Sequence, residues 1–227
     1  MSTRVETFEV HAPTITVRQI SGRVTIEPSP DHRTEVTLTG ADATIAAAQV
    51  ELTREGIVVA VAKSKGRIIR KQAVDMHLRV PSDASLRIST VSGDVTVSAP
   101  SIDTRINSVS ADLVLTGACI DVQLTTVSGD IEFNAPFVEM VAKSISGDMQ
   151  ITAHRGGALT VSSVSGDIDV NLTSGLTIDI EAKSLSGDLR SQIALDQETP
   201  ASRSEESLRV VGKTISGDLH VRRASTV

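Results

Sequence analysis

The tripeptide Ser-Gly-Asp, or a close variant of it, returns along the chain with its serine at Ser92, Ser110, Ser128, Ser146, Ser165, Ser186 and Ser216. The spacings are 18, 18, 18, 19, 21 and 30 residues. A period this short restricts the fold to a structural repeat in which each unit buries its apolar face only by stacking on its neighbours.

The side chains repeat with the triplet. Counting from each serine, positions −6, −4, −1, +3 and +5 read Leu86, Ile88, Val91, Val95 and Val97 in the first copy, and Val122, Leu124, Val127, Ile131 and Phe133 around Ser128. Around Ser165 they read Leu159, Val161, Val164, Ile168 and Val170. Of the 35 such slots only Thr104, Ser191 and Gly212 are not apolar. Alternation of period two on both sides of the triplet predicts two strands per repeat, each with one buried face that includes the −1 position. Recurrent Gly and an excess of Val, Ile and Thr exclude a helical repeat. The expected fold is therefore all-β, a single-stranded, β-helix-like β-solenoid with coils of about 18 residues.

An earlier copy, "TITVRQISGRVTIEP", places Ile15, Val17, Ile20, Val24 and Ile26 at the same offsets from Ser21, so the stack should begin near residue 14. Between it and Ser92 the pattern breaks into strand-like pieces, with "TREG" reading as a hairpin turn. Residues 1–85 are thus expected to form an irregular β region that includes a first coil, and residues 86–223 the regular repeats. A surface loop is expected at about 192–207, where "DQETPASRSEES" is polar and aperiodic, and a frayed tail at 224–227. No capping helix is legible at either end, which should leave an open row of backbone donors and acceptors able to pair with another copy.

Gly93, Gly129, Gly147, Gly166, Gly187 and Gly217 follow the serines and read as structural turns, where a reversing chain often needs φ above zero. Ala111 takes this place in the second copy. Asp94, Asp112, Asp130, Asp148, Asp167, Asp188 and Asp218 should stack along one edge, accepting amide hydrogens of the turn. The Ser or Thr at −2 should satisfy neighbouring backbone groups. A sharper reading makes the ladder of Asp94, Asp130, Asp148, Asp167, Asp188 and Asp218 a set of weak calcium sites relieving like-charge repulsion. The spacing does not match a calcium-binding nonapeptide repeat, so no metal and no cofactor is assigned.

Chemistry has little to work with. His11, His32, His77, His154 and His220 have no metal-ligand spacing, no Gly-rich phosphate loop precedes a helix, and the carboxylates are uniform where a catalytic site would break the pattern locally. Cys119, the one cysteine, reads as a buried inert thiol on a strand. A net charge of −6 and 1% aromatic residues exclude a basic stripe or stacking platform for nucleic acid. "MSTRVETFEV" has no apolar leader and no stretch is long enough to insert into a membrane, so the chain as given reads as cytoplasmic, reaching a membrane only through a partner.

The run "SVSGD", "SISGD", "SLSGD" and "TISGD" resembles the putative-adhesin family of bacterial β-strand-repeat proteins, a DUF4097-like domain of unknown function. The resemblance is strongest from 86 to 190 and implies a β-repeat fold; it brings no catalytic residues. The expected role is a non-enzymatic interaction or scaffold module presenting Ser, Thr, Asp and Lys to a protein or glycan partner. The alternatives are a self-assembling structural protein stacking end to end, a homo-oligomer through its solenoid ends, and a polysaccharide-active enzyme, the last on architecture alone.

Overall fold

The structure, a computed structural model, describes residues 1–61, 73–173, 175–191 and 206–223. Most of the loop expected at 192–207 and all of the tail at 224–227 lie outside the described residues.

The chain opens with β1 (Ser2–Phe8), β2 (Thr14–Arg18), β3 (Val24–Pro28) and β4 (Thr34–Gly40), then a short helix α1 (Asp42–Ala47), the hairpin β5 (Ala48–Thr53) and β6 (Gly56–Val61), and β7 (Asp75–Val80). The regular part runs through β8 (Ser85–Thr90), β9 (Val95–Val97), β10 (Ser101–Ser108), β11 (Leu113–Leu115), β12 (Cys119–Thr125), β13 (Ile131–Asn134), β14 (Glu139–Lys143) and β15 (Met149–Ala153). It continues through β16 (Gly157–Ser165), β17 (Ile168–Leu172), β18 (Thr177–Ser184), β19 (Leu189–Ser191), β20 (Ser207–Ser216) and β21 (Leu219–Arg223).

These strands form two large mixed sheets, one of 11 strands in the order β1-β4-β7-β3-β9-β11-β13-β15-β17-β21-β19, the other of 10 in the order β18-β20-β16-β14-β12-β10-β8-β2-β6-β5. The chain passes from the second sheet to the first at every Ser-Gly-Asp corner. Within the regular part the pairing is parallel and follows the period: Leu113 is opposite Ile131, Ile131 opposite Met149, and Met149 opposite Ile168. Equivalent apolar side chains are thereby brought into columns. The core between the sheets is built almost entirely of Val, Ile, Leu, Met and Ala, with one aromatic pair, Phe133 edge-on to Phe137 at 5.6 Å.

Spatial order departs from chain order at both ends. The first repeat, β2 and β3, sits between β6/β7 and β8/β9, and the last, β20 and β21, is inserted between β16/β17 and β18/β19. Ser216 is thus a neighbour of the Ser165 copy as well as the Ser186 copy. The "TREG" turn joins β5 to β6 as an antiparallel hairpin, Thr53 opposite Gly56. A short helix not legible in the sequence, α1, packs on β1 and β4 with Ile45 buried in the core, while β1 and β5 are the last strands of their sheets at that end. At six residues it is too short to show an apolar period of its own.

Candidate functional site

The corner is the most regular feature of the molecule. Alternation carries inward residues at −6, −4 and −2 and resumes at +1, +3 and +5, so −1 and the serine itself form the outer bend. The −1 residues are therefore not core, contrary to the sequence reading. Val91, Val109, Val127, Ile145, Val164 and Ile215 are 40–50% exposed and Leu185 is 83% exposed, a ridge of apolar side chains along one edge. The apolar period misled because a Val on an outer bend and a Val in the core look alike in sequence.

The inward place at the corner belongs instead to −2. Thr90, Ser108, Thr126, Ser144, Ser163 and Thr214 are buried, and their hydroxyls, with that of half-buried Ser184, find no hydrogen-bond partner among the described residues. The expected bonds to neighbouring backbone are not made; at Thr126 and Ser144 the amides donate to the carbonyls of Lys143 and Ser162 in the next strand. Hydroxyls stacked at the strand spacing, about 4.8 Å, are also too far apart for mutual O–H···O bonds of about 2.8 Å. Thr126→Val, which keeps the shape and removes an unpartnered buried hydroxyl, is expected to raise stability by about 1 kcal/mol. A lower urea midpoint for that variant would contradict the unpartnered state.

Glycine at +1 is required by close approach rather than by a left-handed backbone. Of the six corner glycines only Gly147 has a φ above zero, at 158°, beside the extended region. A Cβ on Gly129 would stand 2.1 Å from the carbonyl oxygen of Ala111, and one on Gly166 2.3 Å from that of Gly147. The expectation of positive φ is corrected at these six corners, whereas Gly22, at the Ser21 corner, does have a φ of 114°.

The aspartates form a ladder of backbone contacts. The amide of Asp130 donates to Asp112 Oδ1 at 3.0 Å, that of Asp148 to Asp130 Oδ1, and that of Asp167 to Asp148 Oδ1, both at 2.9 Å. The amide of Asp218 then donates to Asp167 Oδ1, and that of Asp188 to Asp218 Oδ1, both at 2.9 Å, following the inserted order of the strands. Asp75, absent from the sequence reading, plays the same part for the amide of Arg23 at 2.9 Å. Its signal was hidden because no Ser-Gly-Asp triplet includes it in the sequence. At the Ala111 corner, among the described residues, no such bond joins the amide of Asp112 to Asp94. One carboxylate oxygen per rung is thus engaged by an amide along most of the ladder. Among the described residues no three His, Cys, Asp or Glu side chains are grouped so as to hold a metal ion.

The other candidates are scattered. His77 reaches Glu27 at 3.0 Å, His154 Nε2 contacts Asn134 Oδ1 at 2.7 Å, and His220 lies 3.6 Å from Asp169. Cys119 is buried beside Ser101, 3.2 Å from its Oγ, and burial pushes its thiol above the ordinary range. No catalytic constellation is assembled among the described residues, and no helix among them is long and apolar enough to cross a membrane.

No curated protein matches the chain significantly in sequence. Among solved structures it is similar to a "putative adhesin" from Bacteroides fragilis, at 16% identity and a TM-score of 0.55, over 98% of this chain and 97% of that one. It is also similar to a "putative lipid binding protein" from Parabacteroides distasonis, at 12% identity and 0.53, over 98% and 97%. A third, a "putative adhesin" from Parabacteroides merdae, is 9% identical with a TM-score of 0.52, over 98% and 96%. At such identities the likeness is one of fold. The cytoplasmic reading, which rested on the lack of an apolar leader, is corrected: the solved structures of similar fold include proteins described as putative adhesins. The described residues form an all-β module of two large mixed sheets. The sequence profile described as Toastrack DUF4097 matches residues 102–225, more than half of the chain, and the chain belongs to that family.

Proposed function

We propose that the chain is a β-solenoid of roughly 18-residue coils, residues 86–223 forming its regular part and 1–85 its irregular end, and that it works as an adhesin-type binding module for a protein partner. The solenoid reading is supported by parallel partners 18 residues apart, such as Ser101 opposite Cys119 and Leu113 opposite Ile131. The binding reading is carried by the exposed ridge. Val91, Val109, Val127, Ile145, Val164, Leu185 and Ile215 remain in solvent at every copy of the corner. A continuous apolar stripe rimmed by polar residues is the surface expected of a protein-interaction site.

Its rims differ in chemistry. The Asp ladder runs along one side; Ser89, Asn107, Thr125, Lys143, Ser162, Lys183 and Lys213, at position −3, run along the other. An extended or β-rich polypeptide with apolar side chains at strand spacing fits this stripe better than a sugar, because pyranose rings are held by exposed aromatic faces. Phe133 and Phe137 are buried against each other, and Phe8 is half-buried.

The triple variant Val109→Thr, Val127→Thr, Ile145→Thr tests this reading, since it makes the ridge polar while keeping β-branched shapes. Capture of envelope or surface proteins by the wild-type chain is expected to fall to background in the variant, with the urea midpoint preserved. Equal capture by both chains would refute the ridge as the binding surface.

A further inference from the structure

The two ends of the stack are built differently. At one end, where β1 and β5 are the last strands of their sheets, α1 packs on β1 and β4 and adds Ile45 to the core. At the other, β18 and β19 are the last strands of their sheets. One step inward, Val210 of β20 and Leu219 of β21 are fully buried; in the last layer Ile178, Ile180 and Ala182 are only partly covered and Leu189 is 46% exposed. Among the described residues no further strand pairs with β18 or β19, and an apolar layer between two such edges is a template for further strands.

The charges on those strands select what can pair there. Glu181 and Lys183 lie two residues apart on the outer face of β18, 3.2 Å from each other, and Asp188 and Arg190 two apart at the start of β19, 2.7 Å from each other. A parallel copy would set like charge against like. In antiparallel pairing of a strand with its own copy, the numbers of facing residues add to a constant. Ala182 facing the partner's Ala182 therefore puts Glu181 against the partner's Lys183, twice by symmetry. Leu189 facing the partner's Leu189 puts Asp188 against the partner's Arg190 in the same way.

Both centres fall on one line. Gly212 and Leu219 are the residues opposite Ala182 and Leu189 in the neighbouring strands. They face each other across the core, so closely that a Cβ on Gly212 would lie 2.4 Å from Leu219 Cδ2. The layer of Ala182 and Leu189 repeats that arrangement. A single two-fold axis normal to the sheets can thus pass through Ala182 and Leu189 together and satisfy both strands at once.

We propose that this end is a homodimer interface, in which a second copy continues both sheets across that axis through β18–β18 and β19–β19 antiparallel pairing. Isologous pairing of this kind closes on itself, so this interface by itself joins two copies and no more. The proposal rests on the stacked-coil reading and does not depend on what the ridge binds.

Sedimentation velocity of the full chain over a concentration series tests it, together with Lys183→Glu, Glu181→Lys and the double exchange of both. A monomer–dimer equilibrium is expected. Each single reversal converts two attractive cross-strand pairs into repulsive ones and should lower the association constant about 10-fold or more; the double exchange restores the pairing and should recover it. In the wild type, amide exchange across β18 should slow as the dimer forms, a reading that needs no variant. A monomer at every concentration, growth beyond a dimer, indifference to the single reversals, or no rescue by the double exchange would each overturn the interface. Intact dimerisation in the ridge variant, with its capture lost, keeps the two surfaces distinguishable.

Discussion

Ile168→Asp is expected to leave the chain unfolded, or to lower its stability by more than about 4 kcal/mol, when urea midpoints are compared by circular dichroism. Ile168 is fully buried at the start of β17, between Met149 and Leu219 in adjacent strands of the same sheet. A carboxylate there has neither water nor a cation within the column. Since a domain of this kind has a total stability of about 5–15 kcal/mol, one such charge removes a large part of it. The neighbouring residue supplies the contrast. Asp167 is exposed, its Oδ1 accepting the amide of Asp218, and water can replace that acceptor. Asp167→Ala should therefore cost only about 1 kcal/mol. Similar midpoints for the two variants would mean that the inward and outward faces of β17 have been exchanged.

The second large effect is expected at the corner. Gly166→Ala places a Cβ 2.3 Å from the carbonyl oxygen of Gly147, which is backbone of the corner between β14 and β15 and cannot swing aside as the end of a side chain could. The two corners must separate locally, and a loss of about 3 kcal/mol follows from overpacking. Gly175→Ala is the control. Gly175 has a φ of 90° with nothing within 4 Å of an added Cβ, so only backbone strain of about 1 kcal/mol applies there. If Gly166→Ala proved as mild as Gly175→Ala, the glycine column would not be set by the approach of successive strands. Ala111 shows what accommodating a Cβ entails, because its corner lacks the amide-to-Asp bond made at the next three corners along the chain.

The regular columns were legible because every copy states them again. Leu113, Ile131, Met149, Ile168, Leu219 and Leu189 occupy the same offset and stand in one column of the first sheet. The corner was legible as a corner but not in its detail. Two residues rather than one lie on the outer bend, which moves Val127 into solvent and Thr126 into the core. Hydrophobicity alone assigns them the other way round, since it does not register where a strand stops alternating. The Asp ladder was visible as a column, while the oxygen that accepts each amide depends on the rotation of the corner.

By itself, the sequence determined that this protein is a repeat of strand, Ser-Gly-Asp corner and strand, because a period of about 18 residues with inward apolar positions on both arms can bury its surface only by stacking. It could not determine the order of the stack. The columns of β17, β19 and β21 present nearly the same offsets, and each could pair with either of the others at similar gain in buried area. Only the tertiary structure decided that β20 and β21 enter between their predecessors, where they are paired on both sides, and that β18 and β19 are left as the open edge. That decision depends on contacts between segments far apart in the chain, and a local pattern carries no record of which identical neighbour it meets.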